Sequence, residues 1–211
     1  YVLFIECYRL VRIWAKNRNI YGSKYGYFNG VTWLILTLNI FKYFEIKGKK
    51  MFIRKFFKFY NEYDWSEPIN IRNLPAKKET KCDEMIFIQN VTENDKLVRT
   101  LSQSTWKIIK SEFRRTQEID DLNIIFEKKK ITSKYVKITI NDNFRFNRYE
   151  KQNQLTSEIW KLCLKTQDIE PYIDWIEKDY KLIYKFGISS NSDSDVIYGY
   201  FRKYLCMIEF I

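Results

Sequence analysis

Residues Val31 to Phe44 carry too few polar side chains to leave any wide helix face in water. Read at 3.6 residues per turn, they are apolar on most sides, and a helix of that kind belongs at the centre of a bundle. Its longest apolar run, Val31 to Phe41 broken by Asn39, is too short to cross a bilayer and reads as core. The rest of the first 130 residues has to supply the surrounding helices.

The flanking segments have that pattern. From Tyr1 to Lys16, Leu3, Cys7, Leu10 and Trp14 recur at helical spacing, while Arg9, Arg12 and Lys16 share another face. Between Met51 and Tyr63, Phe52, Phe56, Phe59 and Tyr63 form a second apolar stripe. A further helix opens near Thr100, where Thr100 and Gln103 are spaced for a capping box, and runs through Trp106, Ile109 and Phe113 to Thr116. Ile119 to Phe126 adds a short one, and Trp65 to Glu84, with Pro68 and Pro75, reads as an irregular surface excursion. Only 6 Gly and 3 Pro in 211 residues favour such long elements over a turn-rich design.

Beyond Lys128-Lys129-Lys130 the periodicity changes. Val136, Ile138 and Ile140 alternate with polar neighbours, as do Trp160, Leu162 and Leu164, and both runs predict strands. Ile169, Ile173, Ile176, Tyr180 and Ile183 predict an amphipathic helix, and Val196 to Phe201 and Leu205 to Phe210 two more strands. The expected architecture is a mainly α, helical-bundle domain over residues 1–130, then a small α+β domain, ferredoxin- or RRM-like, over 131–211.

Charge is distributed unevenly. Residues 1–60 hold 12 Lys and Arg against Glu6 and Glu45, which accounts for nearly all of the net +11. Such an excess suits a polyanion; it also suits a merely solvated basic helix face, and charge alone does not separate the two. There is no histidine, and Cys7, Cys82, Cys163 and Cys206 include no C-x-x-C pair, which argues against a structural zinc site and against any His-based triad. The thiols are most simply buried and reduced. Asp193-Ser194-Asp195 has D-x-D spacing, yet in a Ser- and Asn-rich stretch without glycine it reads as a solvated turn, and Asp120-Asp121 reads as charge at a helix N-terminus. No catalytic residue is assigned within the chain. It opens in mid-pattern at Tyr1, so we expect a fragment of a longer protein.

Residues 12 to 33 place a cation on a helix, an aromatic ring just past its end, and Gly30-Val31 at the start of the next helix. A nucleotide uses that set: a positive group for phosphate, a π face for the base and a close backbone at a helix N-terminus. Stacking a base on Tyr21 would contribute roughly 1–3 kcal/mol. The string Val11-Arg12-Ile13-Trp14-Ala15-Lys16, then Ile20-Tyr21, Ser23 and Gly26-Tyr27-Phe28-Asn29-Gly30-Val31-Thr32-Trp33, resembles a signature of the central domain of eukaryotic-type poly(A) polymerases. Phe56-Phe57, Tyr60, Trp65 and Pro68 are similar to a second stretch of that family, and Thr105 to Ile119 to a third. The resemblance covers most of residues 1–120.

The resemblance implies contact with ATP from Arg12, Tyr21, Ser23, Gly30 and Val31, and with RNA from Lys16, Arg18 and Lys24. Arg12 stands where the family has lysine, Ser23 where asparagine is usual, and Asn29 in place of the first glycine of a Gly-Gly pair. The family's carboxylates, which hold Mg2+ or Mn2+, belong to a preceding nucleotidyltransferase domain whose Gly-Ser signature is not in this sequence, so this chain alone is expected to be inactive. The implied function is addition of AMP from ATP to RNA 3′ ends by the full-length enzyme, with the RNA 3′ end, ATP and polyadenylation-complex proteins as partners, no membrane, and a nuclear location, or cytoplasmic if viral. The alternative is a noncatalytic RNA-binding protein or degenerate polymerase-like subunit. Because the last 81 residues hold only 12 Lys and Arg against 11 acids, RNA affinity is expected to reside more in residues 1–60.

Overall fold

A computed structural model of the 211-residue chain describes residues 1–67, 69, 101–129, 135–141, 161, 169–178, 181–188, 199 and 207–210. The helices are α1 (Val2–Asn17), α2 (Gly30–Tyr43), α3 (Lys49–Glu62), α4 (Gln103–Gln117) and the single-turn α5 (Leu122–Ile125), with a 3-10 turn at Ser23–Tyr25. Four strands follow: β1 (Tyr135–Asn141), β2 (Ile169–Lys178), β3 (Lys181–Ile188) and β4 (Met207–Phe210). The chain divides into two compact units, Tyr1–Ser23 with Tyr27–Leu101 and Ile109–Lys128, and Lys24–Gly26 with Ser102–Ile108 and Lys129–Ile211.

The first unit is helical and organised by aromatic rings. Phe113 of α4 is fully buried, stacked on Trp14 (5.8 Å, 16°), Tyr60 (5.9 Å, 29°) and Trp65 (6.0 Å, 14°). Trp14 in turn meets the edges of Trp33 and Phe57. Rings of this size remove much apolar area from water, and offset or edge-on pairs contribute about 0.5–1.5 kcal/mol beyond that. The polar atoms of Trp14 and Tyr60 are satisfied inside the core, whereas Trp33 Nε1 is buried with no hydrogen-bond partner among the described residues. Trp14 Nε1 donates to Thr116 Oγ1 at 3.1 Å, and Tyr60 Oη donates to the Leu36 carbonyl at 2.7 Å. Asn39, the break in the α2 apolar run, is buried with its Nδ2 3.4 Å from Tyr60 Oη.

Local signals explain the helix ends. At the α1 C-terminus the Ile20 amide donates to Ala15 O and the Asn19 amide to Lys16 O, a Schellman closure with Asn19 at φ 58 and Ile20 buried beneath it. Asn29 caps α2, its side-chain oxygen accepting from the Thr32 amide at 2.9 Å. The α4 cap is at Ser102, whose Oγ accepts from the Thr105 amide while Thr105 Oγ1 accepts from the Ser102 amide; Thr100 itself lies outside the described residues. The reciprocal pair falls two residues later because a second hydroxyl can play the part assigned to Gln103.

In the second unit the strands form one antiparallel sheet in the order β2-β3-β1-β4. β1 and β4 fall on runs expected as strands. The helix predicted from Ile169 to Ile183 is instead a hairpin, with Lys178 paired to Lys181 and Trp175 to Tyr184. The β-branched and aromatic residues that suggested a helical stripe also suit a pleated sheet, and cross-strand pairing decides between them. Register breaks between Glu170 and Asp174, a stretch that includes Pro171, which has no amide hydrogen to give a ladder. Gly199 and Lys161 are helical, against the strands expected around them; a single helical residue shows that alternation in a short run does not fix backbone conformation. The remaining residues of those two runs and Asp193–Asp195 lie outside the described residues.

Candidate nucleotide site

Helix α1 carries Tyr8, Arg12 and Lys16 at successive i, i+4 positions, which places them one above another on a single face. The chain then leaves the Schellman turn, and Tyr21 bridges to Phe28 while the Gly22 amide donates to Phe28 O at 2.9 Å. Gly22 adopts φ 117, open to glycine at little steric cost, and this lets the loop close on itself. The closure returns the Tyr21 ring to the α1 face. Arg12 Cζ lies 5.5 Å from the Tyr8 centroid and 5.8 Å from that of Tyr21, and Lys16 Nζ lies 5.3 Å from Tyr21. Two cations are thereby held on aromatic faces at cation–π range.

The start of α2 closes the arrangement. Tyr8 Oη donates to the Gly30 carbonyl at 3.0 Å. A Cβ at Gly30 would stand 2.8 Å from Tyr21 Oη and 3.3 Å from Tyr8 Oη, so both hydroxyls are packed against the bare Cα. No acidic residue lies in the first turn of α2, and no Asp or Glu occurs between Glu6 and Glu45. The helix N-terminus therefore keeps its positive end beside Arg12 and Lys16. Arg12 Nε is buried and has no hydrogen-bond partner among the described residues, although a buried donor left unmade costs about 1–3 kcal/mol. Burial pushes the Tyr8 phenol above its ordinary pKa, with Arg12 opposing, so it is a neutral donor at physiological pH.

Arg12, Tyr21 and Gly30 are thus brought together, with Lys16 alongside. Val31, half-exposed, follows Gly30 on α2, and Ser23 is exposed at the start of the 3-10 turn. Lys24 belongs to the second unit, with its Nζ over the Tyr25 ring at 4.9 Å. Arg18 is elsewhere: its Nε and Nη2 fork onto Glu112 at 2.8 and 3.1 Å, in a pair whose side chains are 11% and 6% exposed. Sequence reasoning missed Tyr8. Its signal was available, since it stands four residues before Arg12 as Lys16 stands four after.

The departures from the family pattern have local explanations. Asn29 caps α2, which a glycine does without a side-chain acceptor. The fork of Arg12 spans two rings at once, where a lysine offers a single point charge. No group of three or more His, Cys, Asp or Glu among the described residues is placed to hold a metal ion. A groove of roughly 280 Å³ lined by Ile53, Phe57, Lys58, Ile119 and Ile125, among others, includes none of Tyr8, Arg12, Lys16, Tyr21 and Gly30.

Residues 3–137 match the family model described as the poly(A) polymerase central domain. Poly(A) polymerase of Dictyostelium discoideum is 29% identical over 121 residues, covering 53% of this chain and 15% of that protein. Poly(A) polymerase PAPa of Candida albicans is 24% identical over 135 residues, 58% of this chain and 24% of its own length. Nuclear poly(A) polymerase 1 of Arabidopsis thaliana is 24% identical over 126 residues, 53% of this chain and 17% of its own length. The chain thus spans less than a quarter of the length of each of these relatives.

Proposed function

The chain belongs to the poly(A) polymerase central-domain family, and from that premise we propose that it is the part of a polyadenylating enzyme that helps hold ATP and the RNA 3′ end while AMP is added. The observation that carries the reading is the Arg12 guanidinium between Tyr8 and Tyr21, its Nε without a partner among the described residues, near the α2 N-terminus, whose first turn holds no acidic side chain. A triphosphate satisfies all three: it supplies the missing acceptor, neutralises Arg12 and Lys16, and accepts from the first amides of α2. Tyr21 offers its ring to the base or sugar, and Gly30 and Val31 supply the close backbone edge. Ser23, exposed at the loop, is the peripheral member of the set.

Lys16 and Lys24 are assigned to RNA phosphates. Arg18 is assigned to joining α1 to α4 through Glu112, because a guanidinium forked onto a buried carboxylate is already engaged. The α+β reading of residues 131–211 as an RNA-binding-like domain is retained as a proposal, supported by a four-stranded antiparallel sheet. The carboxylates that hold the metal are assigned to another domain of the full-length protein. Its location is proposed as nuclear, in keeping with the name of the Arabidopsis relative. No described helix is long and apolar enough to cross a membrane.

Titration of a fluorescent ATP analogue into the chain tests the site. Arg12→Ala and Tyr21→Ala are each expected to weaken binding about tenfold or more, and Arg12→Lys less. Equal affinity of Arg12→Ala and the parent would remove the basis of the assignment.

A further inference from the structure

Away from the Arg12 site, the corner where α2 gives way to α3 has two properties that belong together. Residues 42–58 hold seven Lys and Arg against one acid, Glu45. The same corner exposes aromatic surface. Tyr43, the last residue of α2, is 59% exposed, far more than a ring of its size needs to be in a helical bundle. It does not project as a loose side chain. Its ring lies nearly parallel to Phe59 (5.5 Å, 29°), and Phe59 lies nearly parallel to Tyr63 (5.3 Å, 32°), so three rings form a row with Tyr43 at its exposed end. Phe44 sets its edge against Phe59 at 5.9 Å. Lys55 Nζ lies 4.9 Å from the Phe44 centroid, and Lys42 Nζ lies 6.0 Å from that of Tyr43, the outer limit of cation–π contact.

We infer that this corner is a second nucleic-acid contact, a stacking platform on which an unpaired base of an RNA strand rests against Tyr43 while Lys42 and Lys55 hold the flanking phosphates. An exposed ring already backed by a rigid row loses little rotamer freedom when a base lands on it. Cations beside the ring supply the backbone attraction that single-strand binding needs. A protein partner is the less favoured occupant, because one exposed ring with Lys42 beside it and Lys55 over the adjoining Phe44 lacks the apolar core of a protein interface. The inference rests on the reading of the chain as part of an RNA-extending enzyme, and it assigns the strand a contact separate from the ATP site.

Fluorescence anisotropy of labelled oligo(A) with the whole chain tests it, with inorganic polyphosphate as a base-free competitor and the ATP analogue as an independent readout. Tyr43→Ala is expected to weaken oligo(A) binding about tenfold while leaving competition by polyphosphate and affinity for the ATP analogue unchanged. Tyr43→Trp, which keeps a ring, is expected to bind oligo(A) at least as tightly as the parent. Lys55→Gln is expected to reduce the slope of log affinity against log salt by about 0.7. Unchanged oligo(A) binding by Tyr43→Ala, an equal loss for oligo(A) and polyphosphate, or a loss in Tyr43→Trp as large as in Tyr43→Ala would each overturn the inference. Loss of ATP binding by Arg12→Ala bears only on the other site, so the two readings fail separately.

Discussion

Replacing Gly30 by alanine isolates the packing that holds Tyr8, Tyr21 and the start of α2 together. The added Cβ would lie 2.8 Å from Tyr21 Oη and 3.3 Å from Tyr8 Oη, against an ordinary contact distance beyond 3.4 Å. Tyr21 must therefore move by roughly half an ångström or more, and a rigid ring moves as a whole; overpacking of this kind costs about 1–3 kcal/mol. Alanine returns up to about 1 kcal/mol through its higher helix propensity, so Gly30→Ala is expected to destabilise the fold by about 0–2 kcal/mol. Tyr21→Phe removes the hydroxyl, leaving Tyr21 Cζ at 3.9 Å as the ring's nearest approach. In the Tyr21→Phe background the same alanine should become neutral or stabilising. Urea unfolding of the four proteins measures this cycle, with an expected coupling of about 1–2 kcal/mol in the direction of rescue. Additive effects within 0.3 kcal/mol would refute the reasoning that Gly30 is bare to admit the Tyr21 hydroxyl.

Glu112→Ala should cost about 3–5 kcal/mol in urea unfolding, because it strands the Arg18 guanidinium in a site where the pair is nearly buried. Asn29→Ala should cost about 1 kcal/mol and Asn29→Gly only a few tenths, since only the alanine both loses the cap and gains no backbone freedom. Burial raises the Cys7 thiol from 9.0 to about 11, so the unfolded chain releases this proton first; stability should be level below pH 9 and fall between pH 9 and 11. Tyr60, buried and raised well above 10.0, should extend the fall further, and Cys7→Ala should flatten the portion beginning near pH 9 in a denaturant midpoint-against-pH series.

The helices of the first unit were legible in the sequence because their information is local. Of the stripe Phe52, Phe56, Phe59 and Tyr63, the first two are buried as expected, while Phe59 and Tyr63 are only partly covered and Ile53, Phe57 and Tyr60 complete the buried face. The apolar envelope of α2 likewise foretold its burial on most sides. The hairpin of β2 and β3 was not legible, because Ile169, Ile173 and Ile176 fit both a helical stripe and a pleated strand. The deciding contacts, such as Trp175 with Tyr184, join residues whose pairing depends on register rather than on neighbours. The site was read in part. Arg12, Tyr21 and Gly30 stood out by type and order, whereas the place of Tyr8 depended on the Gly30 carbonyl 22 residues away, and the commitment of Arg18 on a glutamate 94 residues away.

Arg12 Nε is a buried donor with no hydrogen-bond partner among the described residues. The arginine Nε–Hε resonances of the chain, with the Arg12 signal assigned by its loss in Arg12→Lys, report on that atom directly as ATP is added. Saturable downfield movement of the Arg12 resonance, well beyond that produced by the same concentration of inorganic phosphate, is the predicted result. An Arg12 signal that stays in place while ATP binds elsewhere on the chain would contradict the central claim.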